Sequence, residues 1–86
     1  MNNNNFIPNN NIRFAVPKML SAVQVLSQNN ELDTDTKNRI VALIRKAASE
    51  ANPNFHELRS LLARLRFSCT MHEPLDELLE LTTVYK

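Results

Sequence analysis

The sequence predicts an all-α fold: a small bundle of three to four short helices, preceded by a flexible, asparagine-rich N-terminal leader. Three observations carry that prediction. Glycine is absent from the 86 residues. Apolar residues recur at helical spacing from Met19 onwards. Pro17, Pro53 and Pro74 fall at the borders of the periodic stretches. A single core normally needs about 100 residues, so the chain reads as one helical domain over residues 14–86 behind a leader over 1–13. With 43% hydrophobic residues, 22% charged residues and a net charge of +1, its composition is that of a globular protein.

The missing glycine also limits function. Phosphate-cradling loops, dinucleotide fingerprints and nucleophile elbows use glycine to bring backbone close to a ligand or through a sharp turn. Those enzyme classes are excluded. The single cysteine, Cys69, cannot form an intramolecular disulfide, which suits an intracellular, cytoplasmic setting. The chain does not open on a positively charged segment, and no stretch approaches about 18 uncharged apolar residues, so neither a signal peptide nor a membrane span is expected.

Asparagines dominate residues 1–13 around the apolar patch Phe6-Ile7-Pro8, which offers too little burial to offset the entropy of ordering. A solvated leader is the plainer reading and a linear docking motif at Phe6-Ile7-Pro8 the sharper one. Pro17 suits the first turn of a helix and holds Val16 extended, which predicts a helix over 17–28. Met19, Leu20, Ala22, Val23 and Leu26, extended by Val25, form an arc wider than one neighbour covers. This helix therefore lies between two others or meets a second chain.

After a loop at Asn29-Asn30-Glu31-Leu32, the oxygens and charges of Asp33, Thr34 and Asp35 open a second helix running to about residue 51. Ile40, Ile44, Ala47 and Ala51 form its buried line, flanked by Val41, Leu43 and Ala48. Asn52-Pro53-Asn54 stops it, and Asn54 with Glu57 resembles a capping box for a third helix. Phe55, Leu58, Leu61, Leu62, Leu65 and Cys69 share one stripe there. Pro74 opens a last short helix, with Leu75, Leu78, Leu79 and Thr82 on one side and Glu73, Asp76, Glu77 and Glu80 on the other.

Phe67 has two possible settings. If the third helix continues through it, the ring stands in water near His56 and Ser60; if the helix ends near Arg66, the ring folds into the core. Large aromatic side chains are usually buried, so the second is expected.

Little in the chain suggests catalysis. Cys69 and His72 lie three apart, but the thiol falls on the apolar stripe, where a small buried hydrophobe is the better reading than a nucleophile. With His56 they match no zinc spacing, and no metal or cofactor is expected. The four carboxylates of the last helix read as a solvated face rather than a catalytic pair. Charge is unevenly spread: residues 34–69 hold seven cations against three carboxylates, while residues 70–86 hold four carboxylates against Lys86.

These features predict a non-enzymatic regulator or adaptor, working through helix-mediated protein contacts as a homodimer, with no membrane or small-molecule partner. The alternative is a nucleic-acid-binding regulator using a basic face on the second and third helices. In either case the contact residues expected are Arg39, Arg45, Lys46, Arg59, Arg66 and Phe67.

Overall fold

The computed structural model describes residues 8–50 and 54–84, and over them the chain forms four helices and no strand. These are α1 (Pro8–Gln28), α2 (Thr34–Ser49), α3 (His56–Leu65) and α4 (His72–Val84). α1 packs against α2 and α4, and α3 packs against the same two, so α1 and α3 occupy one diagonal of a square and α2 and α4 the other. The body measures 46 × 19 × 18 Å, two helices across in each short direction. The predicted helical bundle is therefore the fold. No described helix is long and apolar enough to cross a membrane.

α1 is longer than the sequence suggests. It begins at Pro8, whose missing N–H costs nothing at a first helical position, and runs straight through Pro17. At Pro17 the ring removes the bond that would reach the carbonyl four residues back. Ala15 and Met19, on either side, are buried in the core, and that burial holds the helical path across the local break. Of the leader expected over 1–13, residues 1–7, including Phe6 and Ile7, lie outside the described residues, and residues 8–13 carry helical backbone.

The end of α1 shows how the chain manages without glycine. Asn30 has φ of 60°, the left-handed conformation that a helix C-terminus usually gives to glycine. Its N–H donates to the Ser27 carbonyl at 3.1 Å, while the Glu31 N–H donates to Leu26 at 2.9 Å. The two bonds satisfy carbonyls that the ending helix leaves without partners, and they turn the chain sharply towards α2.

α2 follows its sequence signals closely. The Asp33 carboxylate accepts from the Thr36 N–H at 2.7 Å, and that bond holds the Asp33 carboxyl below its ordinary pKa. Ile40, Ile44 and Ala47 are buried, with Val41, Leu43 and Ala48 packed beside them. Ala51 and the Asn52-Pro53 stop lie outside the described residues.

α3 opens differently from expectation. Phe55 occupies the cap position without a side-chain bond, and the Asn54 carbonyl oxygen accepts instead from the His56 N–H at 2.8 Å. Glu57 does not reach back to complete a capping box; it pairs with Arg39 of α2. Phe55 is 2% exposed, so its ring enters the core and the helix starts one step later than a capping box at Asn54 requires.

The centre of the square is filled by Met19, Leu26, Ile40, Ile44, Leu58, Leu62, Leu75 and Leu78, all essentially inaccessible to solvent. Thr82 is equally buried, and its hydroxyl donates to the Leu79 carbonyl at 2.7 Å, which satisfies the polar group locally. α2 and α4 flank α1 on its two sides, so the wide apolar arc of α1 is covered largely within one chain.

Candidate functional site

α3 ends at Leu65, and the turn that follows is tightly bonded. The Ser68 and Cys69 N–H groups both donate to the Leu65 carbonyl, at 3.0 and 2.8 Å, and the Phe67 N–H donates to Arg64 at 3.1 Å. Cys69 then turns inward, 5% exposed, with its thiol donating to the Glu31 carbonyl at 3.4 Å.

Glu31, in the α1–α2 connection, holds this segment from outside. Its carboxylate accepts from the Thr70 N–H and hydroxyl, each at 2.9 Å, and from the Met71 N–H. Bonding to the Met71 N–H, then to the Thr70 hydroxyl, pulls the Glu31 carboxyl below its ordinary pKa. Burial pushes the Cys69 thiol above its own, and the nearby Glu31 charge adds to the effect. The His72 ring does not face the thiol: its Nε2 lies 3.0 Å from the Cys69 carbonyl and 3.2 Å from that of Arg66. Both neighbours are acceptors, so Nε2 carries the proton, and no Cys–His nucleophile is assembled.

Phe67 sits at the tip of this turn with 93% of its surface exposed. The helix does end near Arg66, yet the ring does not fold into the core as expected. The carbonyl bonds to Leu65 and Arg64 fix the turn so that Cys69 takes the inward position. A side chain two residues before it is left pointing away.

The five cations singled out by the sequence are divided by the fold. Arg39 pairs with Glu57 across the α2–α3 contact. Arg59 is half-buried and donates to the Thr82 carbonyl at 3.3 Å, placing positive charge at the C-terminal turn of α4. Arg66 lies beyond the end of α3 and pairs with Asp76 at 2.7 Å. Arg45 and Lys46 remain exposed on α2, without an ion-pair partner among the described residues. Arg59 and Arg66 thus face α4 rather than forming one line of charge with the cations of α2.

Other surface features carry little signal in the sequence. Glu31 reads as an ordinary loop residue because its partners lie 39 and 40 positions away. Phe14, 76% exposed, and Val25, 38% exposed, add apolar surface on α1. Among the described residues no group of three or more His, Cys, Asp or Glu side chains is arranged to hold a metal ion. Comparison with protein-family models, curated proteins and solved structures returned no match.

Proposed function

We propose that this protein is a non-enzymatic regulator or adaptor that works by protein contact, with the α3–α4 turn as its contact point and Phe67 as the anchor. One observation supports the reading above the rest: a phenylalanine ring stands 93% exposed on a turn already fixed by backbone bonds and by Glu31. Burying such a ring in a partner contributes about 1.5–3 kcal/mol. Because the turn is ordered beforehand, little conformational entropy is lost on binding. The proposed setting is the cytoplasm, where the thiol of Cys69 stays reduced. A second copy of the chain belongs among the possible partners, although the arc on α1 that first suggested a homodimer is engaged by α2 and α4.

Nucleic acid is the second reading, supported by the same ring, which is free to stack on a base, and by exposed Arg64 three residues before it. Internal bonding of Arg39, Arg59 and Arg66 favours the protein reading, since it removes three cations from phosphate contact. Purification of the wild type and Phe67→Ser from the native host under mild conditions separates the two. The expected result is a protein that co-elutes in fixed ratio with the wild type and is lost from a normally melting Phe67→Ser. A high 260/280 absorbance ratio in the wild-type fraction selects nucleic acid, and an equal complex with both proteins removes Phe67 from the site.

A further inference from the structure

The diagonal that joins α2 to α4 also separates the charge of the molecule. α2 carries Lys37, Arg39, Arg45 and Lys46 against a single Asp35, whereas α4 carries Glu73, Asp76, Glu77 and Glu80 with no lysine or arginine. Pairing removes Arg39 and Asp76 from these sets. Lys37, Arg45 and Lys46 are left on one edge, and Glu73, Glu77 and Glu80 on the other, with no ion-pair partner among the described residues. The edges lie on opposite corners of a body 18–19 Å thick. That is about two Debye lengths at physiological salt, so the rows cannot neutralise each other within one molecule.

Each row borders apolar surface. Between α1 and α4 runs a groove of about 750 Å³ in which Ala22, Val25 and Pro74 lie beside Glu73, Glu77 and Glu80. Between α1 and α2 is a shallower depression where Val16, Pro17 and Ala48 lie beside Arg45. The two surfaces are alike in apolar character and opposite in charge. A formal net charge of +1 leaves almost no overall repulsion between copies to oppose their approach.

We infer that the chain associates with a second copy of itself head to tail, the acidic α1–α4 groove of one copy receiving the basic α1–α2 edge of the next. The occupant is chosen by charge complementarity and by the apolar centre common to both surfaces. Because the surfaces differ, each contact leaves one groove and one edge unused, and the assembly closes into a ring or grows as a filament. The contact does not involve the Phe67 turn. Phe67→Ser should therefore associate as the wild type does, whether or not the proposed role of Phe67 is correct.

Sedimentation velocity on the full chain at about 200 µM tests the inference, since exposed charges act at range only in dilute salt. At about 20 mM salt the wild type is expected to exceed monomer mass, with its apparent Kd rising at least about tenfold by about 200 mM salt. Two charge-reversed variants complete the design: Glu77→Lys/Glu80→Lys, with both edges basic, and Arg45→Glu/Lys46→Glu, with both edges acidic. Each alone should be monomeric, and their equimolar mixture should associate. Where circular dichroism shows that a reversal prevents folding, Glu77→Gln/Glu80→Gln or Arg45→Gln/Lys46→Gln replaces it, and weakened association is then expected. A monomeric wild type at low salt overturns the inference. So does association that persists undiminished in high salt or in either reversed variant alone, or that requires added nucleic acid.

Discussion

Phe55 and Phe67 lie twelve positions apart at the two ends of α3, and replacing each by alanine should give sharply different results. A phenylalanine side chain presents about 150–250 Å². At 93% exposure Phe67 has only about 10–20 Å² of contact to lose, worth under about 0.5 kcal/mol at roughly 25 cal/mol per Å². Phe55, at 2% exposure, leaves a cavity, and substitutions of this kind cost about 3–5 kcal/mol. A chain of this length has about 4–13 kcal/mol of stability in all, so Phe55→Ala removes a large share of it. For a domain of this size each kcal/mol shifts Tm by about 4–8 °C. Thermal melts followed by far-UV circular dichroism should place Phe55→Ala at least about 12 °C below the wild type and Phe67→Ala within about 4 °C of it. A loss above about 1 kcal/mol for Phe67→Ala would refute the exposed ring, because no area remains at that position to account for it.

Three further outcomes follow from particular bonds. Pro17 is exposed in the middle of α1, so Pro17→Ala should raise stability by up to about 3 kcal/mol in urea unfolding; no gain, or a loss, would mean that the helix does not run through this position. Asn30 holds a left-handed conformation, so Asn30→Val should cost about 1–2 kcal/mol while Asn30→Gly costs nothing; equal melting of the two would contradict the turn. The folded-state pKa values of Glu31 and Asp33 are lowered, so their contribution is complete above the usual carboxylate range, about pH 4 to 4.5, and is lost as pH falls through it to the lower folded values. Tm should drop across that acid window, less steeply in Glu31→Gln; an identical acid slope in the variant would show that Glu31 does not hold the Thr70–Met71 segment.

Wherever the deciding interaction spans four residues or fewer, the sequence by itself determined the outcome. Asp33 caps α2 through a bond to Thr36, and the apolar spacing of Ile40, Ile44 and Ala47, of Leu58 and Leu62, and of Leu75, Leu78 and Thr82 selects the buried faces. Such spacing states which face is apolar and not what covers it. Burial in the bundle carries α1 through a proline that reads locally as a helix start, and it draws Phe55 inward at the cost of the cap expected at Asn54. Arg66 and Asp76 are ten positions apart, Arg59 and Thr82 twenty-three, Glu31 and Met71 forty. No local pattern encodes those pairings, because a charged side chain binds whichever partner the packed helices bring within hydrogen-bond reach. The square order of the helices likewise turned a charge imbalance along the chain into two opposed edges, and the bonded turn after Leu65 left Phe67 in solvent.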